Sequence, residues 1–227
     1  MAVKEKWAKH TEDLLREIGI AEGHAVLDCC CGSGVYTIAA ATVVGRSGLV
    51  YAIDSNSRRL GELNQKAELS GLGNIKIIEG DVESAIPLTD SAVDFVLLYD
   101  IFWYFRPTEN KMEGLLEEVG RVAKPSAVIS VYPTHVDPRN VDLFKDEMKD
   151  HGFILVSELS EKLVHEKSLE RGRLLNFRNV GKDRVKLIEE KIEDLKKRLP
   201  IHSVPPSMLQ ELEDLEEELE RIRRDGG

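Results

Sequence analysis

Between residues 25 and 133, five short apolar runs alternate with stretches of helical periodicity, and this alternation constrains the fold more than any other feature of the chain. The runs occupy residues 25–28, 49–53, 75–78, 93–98 and 127–132. None shows the polar–apolar alternation of a half-solvated strand; continuous apolar runs belong to strands covered on both faces. The segments between them carry Ala39, Ala40 and Ala41, then Leu60, Leu63 and Ala67, then Met112, Leu115, Leu116, Val119 and Val122, at three-to-four spacing. Ser55 is placed to cap the second of these helices, Gly71 and Gly73 to stop it, and Pro125 to end the third. Strand–helix–strand units joined by right-handed crossovers predict a doubly wound, mostly parallel α/β sheet.

Two flanks differ from this core. Residues 3–19 read as an amphipathic capping helix with Trp7, Leu14 and Ile18 on one side. Beyond strand-like runs at 152–156 and 174–177, composition shifts near Gly181. Val185, Ile188, Ile192, Leu195 and Leu199 then repeat every three or four residues, as do Met208, Leu212, Leu215, Leu219 and Ile222, with Pro200, Pro205 and Pro206 between the two sets. Nearly every other position there is charged, so 182–224 is expected to form an α-helical hairpin or coiled-coil segment. Its narrow seam suits packing or oligomerisation, as a homodimer or with a partner, and the domain proper spans 1–180.

With 31 basic and 41 acidic side chains the chain carries a formal charge of −10, which argues against a dominant phosphate-neutralising surface and hence against nucleic acid. No window approaches the roughly 18 apolar residues of a membrane span, and the N-terminus lacks an apolar run of signal-peptide length. The three cysteines stand side by side at Cys29, Cys30 and Cys31, which is no disulfide framework and fits a reducing, cytoplasmic compartment. Neighbours along an extended chain alternate faces, so three in a row do not readily wrap one tetrahedral ion. Small buried residues, and no metal, are the expectation.

Chemistry is concentrated at the ends of the first three runs. Asp28 leads into Cys29-Cys-Cys-Gly-Ser-Gly34, where Gly32 and Gly34 permit a tight turn and bare backbone at a helix N-terminus. Asp54 ends the second run, where a carboxylate can hold two ribose hydroxyls, and Gly80-Asp81 ends the third. Three such signals at consecutive strand ends describe one crevice. A nicotinamide site would show Gly-x-Gly-x-x-Gly; here Thr37 replaces the third glycine. Asp28 would also repel a pyrophosphate, whereas it suits the ammonium and sulfonium charges of S-adenosylmethionine.

In the glycine turn, in Asp54 and Gly80-Asp81, in residues 93–99 and in Glu118-Val-Gly-Arg-Val-Ala-Lys-Pro125, the chain resembles the class I S-adenosylmethionine-dependent methyltransferases over residues 10–160. The resemblance implies a Rossmann-like sheet with S-adenosyl-L-methionine as cofactor. It implies that Asp28, Cys30, Gly32, Ser33 and Gly34 line the methionine moiety, and that Asp54 with Ser55 holds the ribose. Asp81 and Val82 would contact the adenine, and Tyr99 would open the loop facing the methyl group. Two positions depart from the family pattern: Cys30 stands where its first glycine usually lies, and Ser126-Ala127 replaces the common Gly-Gly after Lys-Pro.

On the acceptor side, Tyr99-Asp-Ile-Phe-Trp-Tyr-Phe105 is the densest aromatic cluster. Trp103 and Tyr104, with Trp7 and Tyr36, make an apolar substrate wall for a small-molecule or lipophilic acceptor. His135 follows the fifth run and is the candidate proton acceptor. In-line methyl transfer driven by proximity needs little more. The alternative reading is a non-catalytic adenosyl-ligand-binding or interaction protein whose C-terminal hairpin recruits a partner.

Overall fold

A computed structural model describes residues 2–82, 85–102, 111–134, 136, 140–165, 168–199 and 205–224. The sheet has seven strands: β1 (Ala25–Cys29), β2 (Leu49–Asp54), β3 (Ile75–Glu79), β4 (Val93–Tyr99), β5 (Ala123–Tyr132), β6 (Phe153–His165) and β7 (Ser168–Asn179). Their order is β3-β2-β1-β4-β5-β7-β6, parallel from β3 to β5, with β7 antiparallel to both β5 and β6. The chain runs outward from β1 through β2 to β3, then returns to β4 on the other side of β1. The switch point therefore lies between the carboxyl ends of β1 and β4, where open α/β sheets bind ligands.

Helices cover both faces, which explains the continuous apolar runs. Val26, Phe95, Leu97 and Tyr99 face α1 (Ala2–Glu17) and α2 (Val35–Val44). Leu27, Cys29, Val96 and Leu98 face the opposite layer, built from α4 (Lys111–Val122) and α5 (Val141–Asp150). α3 (Ser57–Leu69) lies beside α2, with Leu63 against the start of that helix. The cap of α3 is Asn56, one residue later than expected: its side chain accepts from the Arg59 N–H, while Ser55 is exposed.

Pro125 does not terminate α4. That helix ends at Val122 and β5 begins at once, with the ladder jumping from Val93–Ala123 to Phe95–Val128. Pro125 and Ser126, the latter at φ 69°, sit in this irregular stretch, where a residue without an N–H breaks no ladder bond. The Glu118…Pro125 stretch also supplies an anchor for the crossover into β4. Arg121 pairs with Glu118 (2.7 Å) and donates to the carbonyls of Ile86 and Leu88, while Glu118 accepts from the Ile86 N–H.

β6 and β7 are much longer than the two runs seen in the sequence. The β5–β7 ladder stops at Val131–Leu175, but the β6–β7 ladder continues to His165–Ser168. The ribbon thus overhangs the carboxyl edge of the sheet by roughly 20 Å at the usual strand rise. α6 (Lys182–Arg198) and α7 (Pro206–Arg224) form the expected helical pair. Part of their seam packs within the chain: Ile188, Ile192 and Leu219 bury against Ile154 of β6, flanked by Leu212 and Leu215. Lys196–Glu216 joins the two helices and Lys149–Glu189 ties α6 to α5, both at 2.7 Å.

Candidate active site

At the end of β1, side-chain alternation turns Asp28 toward α2, where it is 3% exposed and accepts a 2.5 Å hydrogen bond from the Thr37 hydroxyl. Burial, reinforced by the neighbouring Asp54 charge, pushes its carboxyl up to about 7 against the opposing bond from Thr37. No cation among the described residues offsets it. Cys30 then takes the left-handed conformation (φ 55°), so the turn keeps a glycine-like backbone although a cysteine occupies it. The Gly34 N–H closes the turn on the Cys31 carbonyl at 2.9 Å. Gly34 itself has φ 81°, and a Cβ there would lie 2.2 Å from Leu63 Cδ1, so α3 can approach only a bare backbone.

Asp54 joins the three strand-end turns. Its carboxylate accepts from the Gly32 and Asn56 N–H groups, each at 2.8 Å, and its main-chain carbonyl accepts from Gly80 at 3.1 Å. Cys31 N–H donates to the Ile53 carbonyl, drawing the glycine turn onto β2. Asp28, the 30–34 turn and Asp54 thus lie side by side at the carboxyl ends of β1 and β2. Past β3, Asp81 is exposed and Val82 is buried in the core beneath it.

Three tyrosines cluster beside the carboxyl end of β4, where the acceptor wall is expected. Tyr36 of α2 meets Tyr99 edge-on at 4.6 Å, and Tyr99 meets Tyr132 at 6.4 Å. Tyr36 donates to the Val164 carbonyl of the overhanging ribbon, and Tyr99 shares a hydrogen bond with Ser130. Burial pushes both phenols well above their ordinary range, so they stay neutral. Tyr99 is 4% exposed and Tyr36 9%; both hydroxyls are turned to protein partners. Trp7 is half-buried on α1. Trp103, Tyr104 and His135 lie outside the described residues.

Cys29 is buried in the core, and Cys30 and Cys31 are half-buried. Burial raises the Cys29 and Cys31 thiols. Among the described residues no cluster of His, Cys, Asp and Glu has the makings of a metal site. In the sequence Thr37 stands only as a missing glycine; its signal was a small polar side chain next to the glycine turn in a mostly apolar Val35–Val44 helix.

These features can be compared with known proteins. Residues 26–126 match the family model described as a methyltransferase domain. The demethylmenaquinone methyltransferase of Geobacillus kaustophilus (strain HTA426) is 35% identical over 120 residues, 53% of this chain and 49% of the relative. The chain thus spans about half the length of the curated relatives it matches. A SAM-dependent methyltransferase from Aquifex aeolicus superposes with a TM-score of 0.62 at 27% identity, over 75% of this chain and 89% of that one. Magnesium protoporphyrin IX methyltransferase from Synechocystis PCC 6803, solved with bound SAM, shares the fold at a TM-score of 0.54 and 16% identity, over 78% and 79% of the two chains. Sheet order, glycine turn and family match together place residues 26–126 with the methyltransferase domains of the class I S-adenosylmethionine-dependent type. The residues present fit that family's donor. A buried carboxyl with no counter-cation among the described residues is compatible with a positively charged ligand, and the turn beside it, with Gly32 and Gly34 bare of side chains, gives room for close approach.

Proposed function

We propose that this protein transfers the methyl group of S-adenosylmethionine to a small, lipophilic acceptor. The observation that carries the reading is the buried Asp28 at the head of the glycine turn, beside the switch point of the sheet and with no cation among the described residues to offset it. Asp28, Cys30, Gly32, Ser33 and Gly34 would hold the methionine moiety, Asp54 and Ser55 the ribose, Asp81 and Val82 the adenine. When bound, the cofactor supplies an electrophilic methyl group. What the chain supplies is alignment: the turn fixes one reactant while the end of β4 at Tyr99 bounds the other. Tyr36, Trp7, Trp103 and Tyr104 would wall the acceptor, and His135 would receive a proton from it.

The acceptor class is supported by the relatives named demethylmenaquinone methyltransferases and by the buried, neutral tyrosines at the acceptor end. The hairpin is read as an intramolecular packing element, because its seam is occupied by Ile154. No helix among the described residues is long and apolar enough to cross a membrane.

Calorimetric titration with S-adenosylmethionine, S-adenosylhomocysteine and NAD tests the donor. Micromolar binding of the adenosyl ligands and none of NAD is expected; NAD binding with no adenosyl binding overturns the reading. Adenosyl binding without turnover on demethylated quinols or other small lipophilic acceptors would favour the non-catalytic alternative.

A further inference from the structure

The Thr37 hydroxyl is diverted from its usual partner. A threonine inside a helix commonly bonds the carbonyl four residues back, which for Thr37 is Ser33. Here the Ser33 carbonyl is served from α3 by Lys66 Nζ at 2.5 Å. Thr37 instead donates to Asp28 Oδ2 at 2.5 Å, with no exposed surface of its own. Two elements thus cooperate: α3 satisfies the turn carbonyl, and α2 turns the Thr37 hydroxyl onto the carboxyl below the turn. A hydroxyl can donate to a carboxylate as a charge-assisted bond, which favours the charged form and fixes which oxygen faces the ligand.

We infer that Thr37 is a positioning residue of the donor site, orienting Asp28 and holding it in the charged form that a cationic ligand requires. This rests on the donor reading above. The groups facing Asp28 are Asp54 from β2, Tyr99 from β4, Thr37 from α2, and Cys29 and Cys31 on its own run. Asp54 works against ionisation, while burial keeps the tyrosine and both thiols neutral across the physiological range. Among these neighbours, Thr37 alone favours the charge.

The consequence is a pH signature. Affinity for S-adenosylmethionine should rise with pH as Asp28 loses its proton near 7 and level off above it. Thr37→Val removes the hydroxyl and keeps the branched shape. It should weaken binding at pH 7 by about tenfold, the effect of one lost bond to a charged group, and move the rise to higher pH. Affinity should largely recover by pH 9, and Thr37→Ser should restore the wild-type profile.

The experiment is titration of S-adenosylmethionine into wild type, T37V and T37S between pH 5.5 and 9, with the melting temperature of each protein recorded. A T37V profile superimposable on wild type overturns the inference, as does a loss equal at every pH, the mark of mere packing damage. If T37V does not fold, T37A against T37S supplies the same comparison. Failure of wild type to bind at any pH would defeat the donor reading instead, so the two failures are distinguishable.

Discussion

Cys30 and Asp28 each hold a conformation or a charge that the fold alone would not choose. A left-handed backbone at a residue bearing a Cβ costs about 1–2 kcal/mol, and Cys30 sits there at φ 55°. Cys30→Gly should therefore be at least as stable as wild type, whereas Cys30→Val, β-branched in the same conformation, should lose about 1–2 kcal/mol. Urea midpoints for the two variants check the sign contrast. Asp28 is the larger burden. Its carboxyl is raised from 3.8 to about 7, so between those values the folded state binds the proton the unfolded state releases. Stability must then fall as pH rises through that window and stay low above 7. Asp28→Asn removes the effect. The variant should exceed wild type by about 2–4 kcal/mol at pH 8 and by little at pH 4, while losing affinity for S-adenosylmethionine. Urea unfolding at the two pH values and one titration test both halves. Equal stability differences at both would refute the buried-charge account.

At the scale of elements, the glycine turn is where α2, α3 and the sheet converge, and Gly34 sets how closely they do so. An alanine there would put its Cβ 2.2 Å from Leu63 Cδ1 at a φ of 81°. Gly34→Ala should cost about 2–4 kcal/mol, part from backbone strain and part from overpacking. Adding Leu63→Ala removes the obstructing methyl groups but not the strain. The double variant should then lie closer to Leu63→Ala alone than the sum of the two single effects, a non-additivity read directly from denaturation midpoints. This neighbourhood was legible in the sequence because it is local: Asp28, the two glycines and Asp54 fall within one strand–turn–helix–strand unit. The β6–β7 ribbon was not. Residues 160–162 and 170–173 are mostly charged and pair with β-ribbon residues alone beyond the sheet edge, so no apolar run marks them in the sequence. The fifth helix carried Val141, Phe144 and Met148 at helical spacing, a usable signal that was passed over.

At the scale of the whole molecule, the proposed cofactor site and the helical pair lie at opposite ends of the sheet. The proposed site is at the carboxyl ends of the parallel strands, whereas α6 leaves from the end of β7 and docks where β6 begins. The hairpin seam was evident from residue spacing, but its partner was not. The same apolar stripe can serve a neighbouring helix, a second copy or a sheet, and within this chain Ile188, Ile192 and Leu219 pack on Ile154. Ile192 sits at the centre of that contact, 9% exposed, with Lys149–Glu189 bracing one side. Ile192→Asp should bury an unpaired charge and undock the hairpin locally instead of unfolding the protein. Amides of α6 and α7 should then exchange rapidly with solvent, and trypsin should cut near Lys196–Arg198, while β1, β4 and β5 stay protected. Affinity for S-adenosylhomocysteine should remain within about twofold of wild type, since additivity holds for sites more than about 10 Å apart with no shared partners. A hairpin that recruits the cofactor site into shape would instead lose that affinity together with its own protection, and the paired readout separates the two.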